Sequence, residues 1–418
     1  MKKILGIILS VSLLFSLTAC ESRKIEINGV LVHEDAVPVK QAVSEYDKQF
    51  ENCKAKEYSN LNWTNARKIS IPQVTECHNI EVTLYLDRPS NKEAISNFEG
   101  YCKAYFKDDY DSDNVYFTDE AFSFPYATIE GNGMTFDNAG ARVNDYREKI
   151  ENDDSIIINW LIYVDLNKYQ YLWGTAYAYP IWLTRGNAIE MSGRKYRPTG
   201  LLPMDLLTQY PSETFFNDGT ANDKTYKLSD GEYSIGEAID YFVNHFYTSQ
   251  PFGNNEKISC AVRTISPIQI KDDMYYYLLK FTSAWNGIPF DTSGEFTSIN
   301  YTKSYYFDRG QAIISKKNDV DMAYSYVQPF VKEKGDAINM ILPLETAADI
   351  ASEALSDAVK FEVRSAELIY SGADYDEEAH THCLHPTWKF ILYNTNDRFF
   401  YNVYVDAVSG ESDYFSYV

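Results

Sequence analysis

The sequence predicts an α+β protein: an amino-terminal mixed domain, then two modules in which a helix lies on an antiparallel sheet. Apolar residues recur at helical spacing after Ser234 and again after Pro343. Each of these helical segments is followed by strand-like runs rich in aromatic and β-branched residues. The chain has 418 residues and is 45% hydrophobic, which is enough for two or three domains with apolar cores.

The first twenty residues, MKKILGIILSVSLLFSLTAC, join a basic start to an almost wholly apolar run. This is a secretory signal pattern, too short for a confident membrane span. Its end, Leu17–Cys20, resembles the bacterial lipobox, in which the signal is cut before the cysteine and the thiol receives a diacylglycerol. The resemblance implies a signal peptide at 1–19 and a lipid on Cys20, which holds the protein on the outer face of the cytoplasmic membrane. The alternative is an ordinary signal peptide with a chance cysteine.

Residues 20–75 are predicted to be a tether followed by a polar segment. Residues 21–40 have no clear period, as is typical of a link between membrane and fold. The remaining residues, to 75, are polar and only weakly periodic, and they predict one helix near Val43–Phe50 and little else.

Residues 76–223 are predicted to form the amino-terminal α+β domain. Alternation predicts a strand over 80–87, and Ser90 with Glu93 forms a capping box for a helix over 90–107. Two apolar runs, 155–166 and 169–183, are interpreted as buried strands, and 185–200 as a loop or short strands.

Residues 224–335 and 336–418 are predicted to be two copies of one module. Ser234 and Glu237 form a capping box, and the apolar face of the first helix is Ile235, Ala238, Ile239, Phe242 and Phe246. His245 is interpreted as structural. The second helix has Leu344, Ala347, Ala348, Ala351 and Leu355 on one face. Aspartate–glycine turns are expected at Asp308 to Gly310 and at Asp406 to Gly410.

The carboxy-terminal module resembles a PepSY-type domain. Its helix-then-three-strands order, the strand opening Pro386–Trp388 and the ending YVDAVSGE, Tyr404–Glu411, carry this resemblance. The match is strongest over about the last 75 residues, and the copy at 231–315 lacks the tryptophan and the full ending. Paired modules of this kind occur in membrane-anchored regulators of cell-wall sensor kinases, and the whole layout is most similar to surface lipoproteins of Gram-positive bacteria. The resemblance implies a regulatory, inhibitory or binding role and carries over no catalytic residue.

The charge of the chain restricts its partners. The net charge is −22, and it becomes −24 without the two lysines of the signal. Such a surface repels nucleic acid and anionic lipid, so no nucleic-acid partner is expected. Cations, cationic peptides and neutral ligands fit better. Apart from the membrane, the expected partner is a protein or the cell wall.

One acidic stretch has the spacing of a calcium-binding loop. Asp109, Asp111, Asp113 and Glu120 hold positions 1, 3, 5 and 12 of DYDSDNVYFTDE. This spacing turns alternate carboxylates inward, and calcium prefers such hard oxygen ligands. Against calcium, Asn114 replaces the usual glycine and no convincing helix follows. The alternative is a solvated acidic turn.

A histidine cluster, HTHCLHP, raises the question of a zinc or copper site. Its candidate ligands are His380, His382, Cys383 and His385, with Asp376 or Glu378 assisting. On a strand these side chains face opposite ways, so a common ion requires an irregular loop. Such a loop is predicted between the strand FEVRSAELIY and the strand TWKFILY. The alternative is a variable hairpin loop without a ligand.

Five cysteines remain after Cys20, so at least one is free or pairs with another chain. Two states are equally compatible with the spacing: a disulfide among Cys53, Cys77 and Cys102, or buried free thiols.

The motifs HExxH, GxSxG, GxGxxG and the P-loop are missing from the sequence. Together with the lipobox and the paired modules, these missing motifs lead us to expect a non-catalytic binding or regulatory protein. A cell-wall or glycan hydrolase and a substrate-binding lipoprotein of a transporter remain as alternatives.

Overall fold

The computed structural model describes residues 24–27, 30–83, 90–118, 126–130, 133–137, 141–156, 158, 160–165, 170–175, 180–184, 213–247, 258–271, 273–291, 310–324, 330–376 and 381–416. Helices and strands alternate through these ranges, so the fold is α+β, as predicted. The described α-helices are α1 (Val39–Ser44), α2 (Tyr46–Ala55), α3 (Asn91–Phe106), α4 (Val143–Glu151), α5 (Ile235–Tyr241) and α6 (Leu344–Glu353). Short 3₁₀ turns cover Lys107–Asp109 and Ser112–Asn114, and a π-helical turn, Phe242–Tyr247, continues α5.

The described strands, in chain order, are β1 (Lys24–Ile27), β2 (Val30–His33), β3 (Val37–Pro38), β4 (Leu61–Asn62), β5 (Cys77–Thr83), β6 (Val115–Thr118), β7 (Tyr126–Glu130), β8 (Gly133–Asp137), β9 (Ala141–Arg142), β10 (Trp160–Asp165), β11 (Gln170–Thr175), β12 (Pro180–Thr184), β13 (Phe215–Phe216), β14 (Thr225–Leu228), β15 (Gly231–Ser234), β16 (Ile258–Lys271), β17 (Met274–Trp285), β18 (Ile288–Pro289), β19 (Gly310–Ile314), β20 (Met322–Tyr324), β21 (Phe330–Ile338), β22 (Met340–Ile341), β23 (Phe361–Asp376), β24 (Thr381–Asn394), β25 (Phe400–Asp406) and β26 (Ser412–Ser416).

Two large sheets organise these strands. The central sheet has the order β13-β16-β17-β19-β20-β12-β11-β10-β6-β9, and β18 pairs with β17. The carboxy-terminal sheet has the order β21-β5-β24-β23-β4, and β25 and β26 continue from the other part of β24. The pairs β1-β2, β3-β22, β7-β8 and β14-β15 form small ladders.

Each sheet has its own apolar core. The carboxy-terminal core takes buried side chains from Val32–Val82, Trp285–Phe290 and Ile338–Val408. The central core takes them from Ala94–Leu172, Ala221–Phe281 and Ala312–Val320. The predicted boundaries after residues 75, 223 and 335 do not coincide with this division. Strand β5 pairs with β24 and β21, and β12 pairs with β20, so sequence-distant strands complete both sheets.

The predicted tether is wrong, because the chain is already folded at residue 24. Strand β1 pairs with β2 from Lys24 onward, and β3 pairs with β22. Helices α1 and α2 then bury a row of side chains at helical spacing: Val39, Ala42, Val43, Tyr46, Gln49, Phe50 and Cys53. The outward-facing positions of this segment are charged, so its mean polarity is high and the apolar row is difficult to recognise in the sequence.

Helix α2 and the loop after it hold both ends of α6. The side chain of Gln49 accepts a hydrogen bond of 2.7 Å from the backbone N–H of Leu344, the first residue of α6. Asn60 donates to the carbonyls of Ser352 (2.7 Å) and Leu355 (3.2 Å) at the other end. These bonds satisfy backbone groups that helix ends otherwise leave unpaired. The amino-terminal helices are therefore part of the carboxy-terminal module.

Trp388 is the predicted anchor of the carboxy-terminal core, and it is fully buried. Its ring stacks on Tyr46 of α2, with centroids 6.2 Å apart and planes inclined by 4°. Its indole N–H donates to the carbonyl of Leu342, 2.8 Å away, just before α6. The tyrosine hydroxyl in turn donates to the carbonyl of Ala366 on β23 at 2.9 Å. One side chain thus joins α2, α6 and the sheet.

The first predicted module has the same element order. Ser234 and Glu237 form the predicted capping box of α5. Phe242, in the π-helical turn, contacts Phe281 of β17 with ring centroids 4.9 Å apart. Of the predicted apolar face, Ile235, Ala238, Phe242 and Phe246 are buried in the central core, and Ile239 is partly buried against it. The π-helical turn that continues α5 therefore packs on β16 and, through Phe281, on β17, in the way that α6 packs on β24 and β25.

The aspartate–glycine turn between β25 and β26 is also confirmed. The carboxylate of Asp406 accepts hydrogen bonds from the N–H groups of Val408 (2.9 Å) and Ser409 (2.6 Å). Gly410 has φ of 75°, a value that glycine adopts without strain. The corresponding Asp308 lies outside the described residues.

Candidate functional site

The acidic stretch forms two short turns and then a strand. Asp109 ends the first 3₁₀ turn, and Asp113 lies in the second. Asp111 accepts a hydrogen bond from the N–H of Asp113 at 3.0 Å, and Asp113 accepts one from the side chain of Asn144 at 2.7 Å. These bonds hold Asp111 and Asp113 within the turns and against α4.

Residues 115–118 of the predicted calcium loop form a strand. Strand β6 begins at Val115 and pairs with β10 and β9. No helix follows the turns, because this paired strand takes its place. Glu120 lies outside the described residues, so the four-carboxylate calcium site stays a prediction.

The predicted loop for the histidine cluster is wrong. Strand β24 begins at Thr381 and its residues His382–Leu384 pair with β5, while its other edge pairs with β23. His382 is buried on the face that carries Leu384 and Trp388, whereas Cys383 is exposed and His385 half-buried on the other face. His382 is therefore not placed to bind the same metal ion as Cys383 and His385. His380 and Glu378 lie outside the described residues.

His382 is a buried neutral histidine. It is 6% exposed, and burial lowers its pKa to about 4. The charged form is disfavoured because desolvation in an apolar environment costs more for an ion than for a neutral ring. The ring is thus uncharged at neutral pH and packs as part of the carboxy-terminal sheet.

All five cysteines of the described part of the chain are free thiols. Cys53, Cys77, Cys102 and Cys260 are buried, and Cys383 is exposed. Burial raises the pKa of Cys53 and of Cys77 to about 12 and that of Cys102 well above its usual range. Cys53, Cys77 and Cys102 are therefore buried free thiols in this structure, the second of the two predicted alternatives. Their thiols pack in the two cores as small apolar groups.

Four charged side chains meet where the two sheets touch, and we call them the buried ion-pair cluster. Lys389 of β24 lies 2.8 Å from the carboxylate of Asp291, and their side chains are 4% and 8% exposed. Arg263 of β16, whose side chain is 26% exposed and so only partly buried, contacts Glu367 of β23, which is 3% exposed. Burial lowers the pKa of Arg263 to about 10, against the opposing effect of Asp291, so the guanidinium stays charged at neutral pH.

The backbone brings this cluster together. Phe290 and Tyr370 form a parallel bridge, and the N–H of Asp291 donates to the carbonyl of Tyr370 at 2.9 Å. Glu367 and Lys389 are direct cross-strand neighbours. Two positive and two negative groups therefore balance inside the contact between the sheets. The described residues of this contact form an ion-paired seam.

The other candidate site is an open groove beside the amino-terminal helices. It has a volume of about 250 Å³ and is lined by Val43, Ser44, Tyr46, Asp47, Lys68, Ile69, Ser70, Ile71, Gln73 and Asp218. One wall is the α1–α2 junction and another is the segment 68–73. Asp218, which follows strand β13 of the central sheet, completes the lining. The ring of Tyr46 is buried, whereas Ser44, Ser70 and Gln73 are exposed.

Chemically, this recognition groove is polar and carries charges of both signs. Lys68 lies 3.1 Å from the carboxylate of Asp47, and both side chains reach solvent, with exposed fractions of 39% and 74%. Such a pair is weak and exchangeable, so a ligand's own charges are able to replace either partner. Ser44, Ser70 and Gln73 offer both donors and acceptors. The groove suits a short polar or zwitterionic segment.

The sequence predicted neither the buried ion-pair cluster nor the recognition groove. The four residues of the buried ion-pair cluster come from four strands or strand ends, and Asp291 is 98 positions from Lys389. The groove depends on α1–α2, which lay in the predicted tether and polar segment. The one available signal was the apolar row of α1–α2 at helical spacing.

Within the described ranges, no group of three or more His, Cys, Asp or Glu side chains is arranged to hold a metal ion. The helices of the same ranges include none that is long and apolar enough to span a membrane.

No protein-family model matches the chain, and no curated protein matches it. Among solved structures, the chain is similar to the crystal structure of an uncharacterized protein from Eubacterium rectale ATCC 33656. The TM-score is 0.50 at 12% sequence identity, over 88% of this chain and 98% of that chain. At this identity the likeness concerns the fold alone. The Bacillus megaterium YpeB C-terminal domain aligns over 80% of this chain and 100% of that chain, at 11% identity. Its TM-score of 0.27 supports no statement about this chain.

Proposed function

We propose that the protein is a lipid-anchored extracellular protein with a non-catalytic binding or regulatory role, built on two PepSY-like modules. The lipobox-like end of the apolar run supports the anchor at Cys20. The shared order of one helix and then antiparallel strands, with α5 and α6 in equivalent places, supports the paired modules. The strongly acidic chain fits a protein that works outside nucleic-acid chemistry.

The recognition groove carries the binding role. Its volume of about 250 Å³ lies below the range of roughly 300–1,000 Å³ of most small-molecule sites. It therefore fits one or two side chains of an extended partner segment better than a sugar chain or a whole transported solute. Its lining comes from α1–α2, from the segment 68–73 and from Asp218 beside the central sheet, so a bound segment contacts α2 and Asp218 together. Binding therefore depends on how the amino-terminal helices and the central sheet are arranged.

Photo-crosslinking at the groove tests this proposal. A benzoylphenylalanine is placed at Ser70 of the full chain, and the cells that display the protein are irradiated. The matched control is the same substitution at Ser356, an exposed serine after α6 and outside the groove lining. We expect a discrete protein adduct from position 70 that is absent from position 356.

Charge reversal gives the second arm of this experiment. Lys68→Glu places three carboxylates in the groove, and we expect the position-70 adduct to decrease strongly because the partner's anionic group loses its counter-charge. Equal adducts at positions 70 and 356, or an adduct indifferent to Lys68→Glu, would contradict binding at this groove.

A further inference from the structure

The β1–β2 hairpin exposes two large apolar side chains close to the start of the described chain. Ile25 is 44% exposed and Leu31 is 58% exposed, the latter the highest value among the exposed large hydrophobic residues of the described ranges. In the hairpin register, Ile25 pairs with Val32 and Leu31 pairs with Glu26. Ile25 and Leu31 therefore lie on opposite faces. The face of Leu31 also carries the exposed Glu26, whereas the face of Ile25 also carries Val32, which is buried in the carboxy-terminal core.

The base of this hairpin is fixed to the carboxy-terminal module. The ammonium of Lys24 lies 2.6 Å from the carboxylate of Glu411, and the N–H of His33 donates to the carbonyl of Val408 at 2.8 Å. A Cβ at Gly410 would lie 2.8 Å from the ring of His33, so glycine permits the close approach. These contacts therefore attach the base of the hairpin to the turn Asp406–Glu411.

Only residues 21–23 separate Cys20 from this hairpin. Four residues of extended chain span at most about 14 Å. A lipid on Cys20 places that residue at the surface of the hydrocarbon layer, and the polar headgroup layer above it is roughly 5–8 Å thick. The start of strand β1 therefore lies within the headgroup layer or no more than roughly 6–9 Å beyond it.

We propose that the β1–β2 hairpin lies in the headgroup layer of the bilayer, with Ile25 and Leu31 in contact with lipid. This inference rests on the proposed lipid anchor and names a second contact with the membrane beyond the acyl chains. Burial of two apolar side chains is favourable because it removes apolar area from water. The two acyl chains of a diacylglyceryl group already anchor a protein firmly, so the hairpin contact acts mainly on the orientation of the protein.

This contact sets the orientation of the whole protein. The turn Asp406–Glu411 then faces the membrane, because it holds Lys24 and His33. Strand β25 leads away from that turn for seven residues, a length of about 23 Å. Its far end carries the exposed Phe399 and Phe400, which therefore lie about 23 Å along the strand from the turn that holds the hairpin.

The charges beside the hairpin favour a neutral lipid surface. Glu26, Glu34 and Asp35 are exposed there. Anionic lipid would repel them, so the contact is expected on zwitterionic phosphatidylcholine.

Fluorescence quenching in vesicles tests the proposal. The lipidated full-length protein, carrying Cys383→Ser to remove the exposed thiol, receives Leu31→Cys and an environment-sensitive nitrobenzoxadiazole label. Phe399→Cys with the same label is the matched control, since both positions are exposed and Phe399 precedes the end of β25 that is opposite the turn holding the hairpin. Phosphatidylcholine vesicles contain a lipid with a nitroxide on its headgroup. We expect strong quenching at position 31 and little at position 399.

Intact mass measured on the same samples separates the two ways of failing. If Cys20 carries the lipid and position 31 is quenched no more than position 399, the hairpin proposal is overturned while the anchor stands. If Cys20 carries no lipid, the proposed anchor fails and this orientation fails with it. Equal thermal midpoints of the two labelled proteins establish that both are folded.

Discussion

Replacing Lys389 with methionine is expected to lower the free energy of unfolding by about 3–5 kcal/mol, because Asp291 stays buried and loses its ion-pair partner. The two side chains are 2.8 Å apart and less than 10% exposed. Glu367, the cross-strand neighbour of Lys389, loses a nearby positive charge as well. Urea unfolding at neutral pH measures the change.

The surface pair Lys227–Asp273 provides a matched control. Its atoms are also 2.8 Å apart, but its side chains are 55% and 73% exposed. The same substitution, Lys227→Met, is expected to cost about 0–1 kcal/mol, because water screens an exposed pair. The double variant Lys389→Met with Asp291→Leu should recover much of the loss, since it leaves no buried charge of this pair. If Lys389→Met and Lys227→Met lowered the free energy of unfolding equally, the seam would be solvated like a surface pair, which would contradict this prediction.

Replacing Trp388 with alanine is expected to destabilise the protein by about 3–5 kcal/mol. The fully buried ring fills the space between α2, α6 and the sheet, and its removal leaves a cavity next to Tyr46. The carbonyl of Leu342 also loses its hydrogen bond from the indole. Chemical unfolding followed by circular dichroism measures the loss.

Two variants separate the sources of this effect. Trp388→Phe keeps an aromatic ring against Tyr46 but removes the N–H donor, and it is expected to cost less than half as much as alanine. Phe399→Ala removes an exposed aromatic side chain and should change stability by no more than about 0.5 kcal/mol. A small effect of Trp388→Ala, similar to that of Phe399→Ala, would contradict the role of this ring as the anchor of the core.

Local signals predicted the parts of the fold that depend on neighbouring residues. The capping boxes at Ser90 and Ser234 mark helix starts because their hydrogen bonds close within three positions. The Asp406 turn follows from hydrogen bonds to the next residues. The burial of Trp388 follows from its place in an apolar strand. Each of these predictions is confirmed by the structure.

The parts that depend on distant pairing were not predictable from one sequence. Residues 371–376 read as an acidic, glycine-containing loop, yet β23 extends through them because β24 pairs alongside. Strand β5, about 300 positions earlier, pairs with His382–Leu384 and completes that part of the sheet. Tertiary pairing thus overrode local propensity and separated His382 from Cys383 and His385.

The candidate sites were hidden for the same reason. Asp291 and Lys389 have no fixed spacing in any motif, and they meet only because β18 reaches the edge of the carboxy-terminal sheet. The recognition groove needs residues 43–47, residues 68–73 and Asp218 at once. A sequence pattern identifies such residues as polar or charged but not as neighbours.

The mass of the amino-terminal tryptic peptide tests the proposed anchored state most directly. The protein is made in a Gram-positive host and extracted from membranes with detergent. We predict a peptide of Cys20–Arg23 that carries a diacylglyceryl group, with no residue of the segment 1–19, and its loss in the Cys20→Ser variant. A peptide that retains residues before Cys20, or an unmodified Cys20, would contradict the anchored surface protein proposed above.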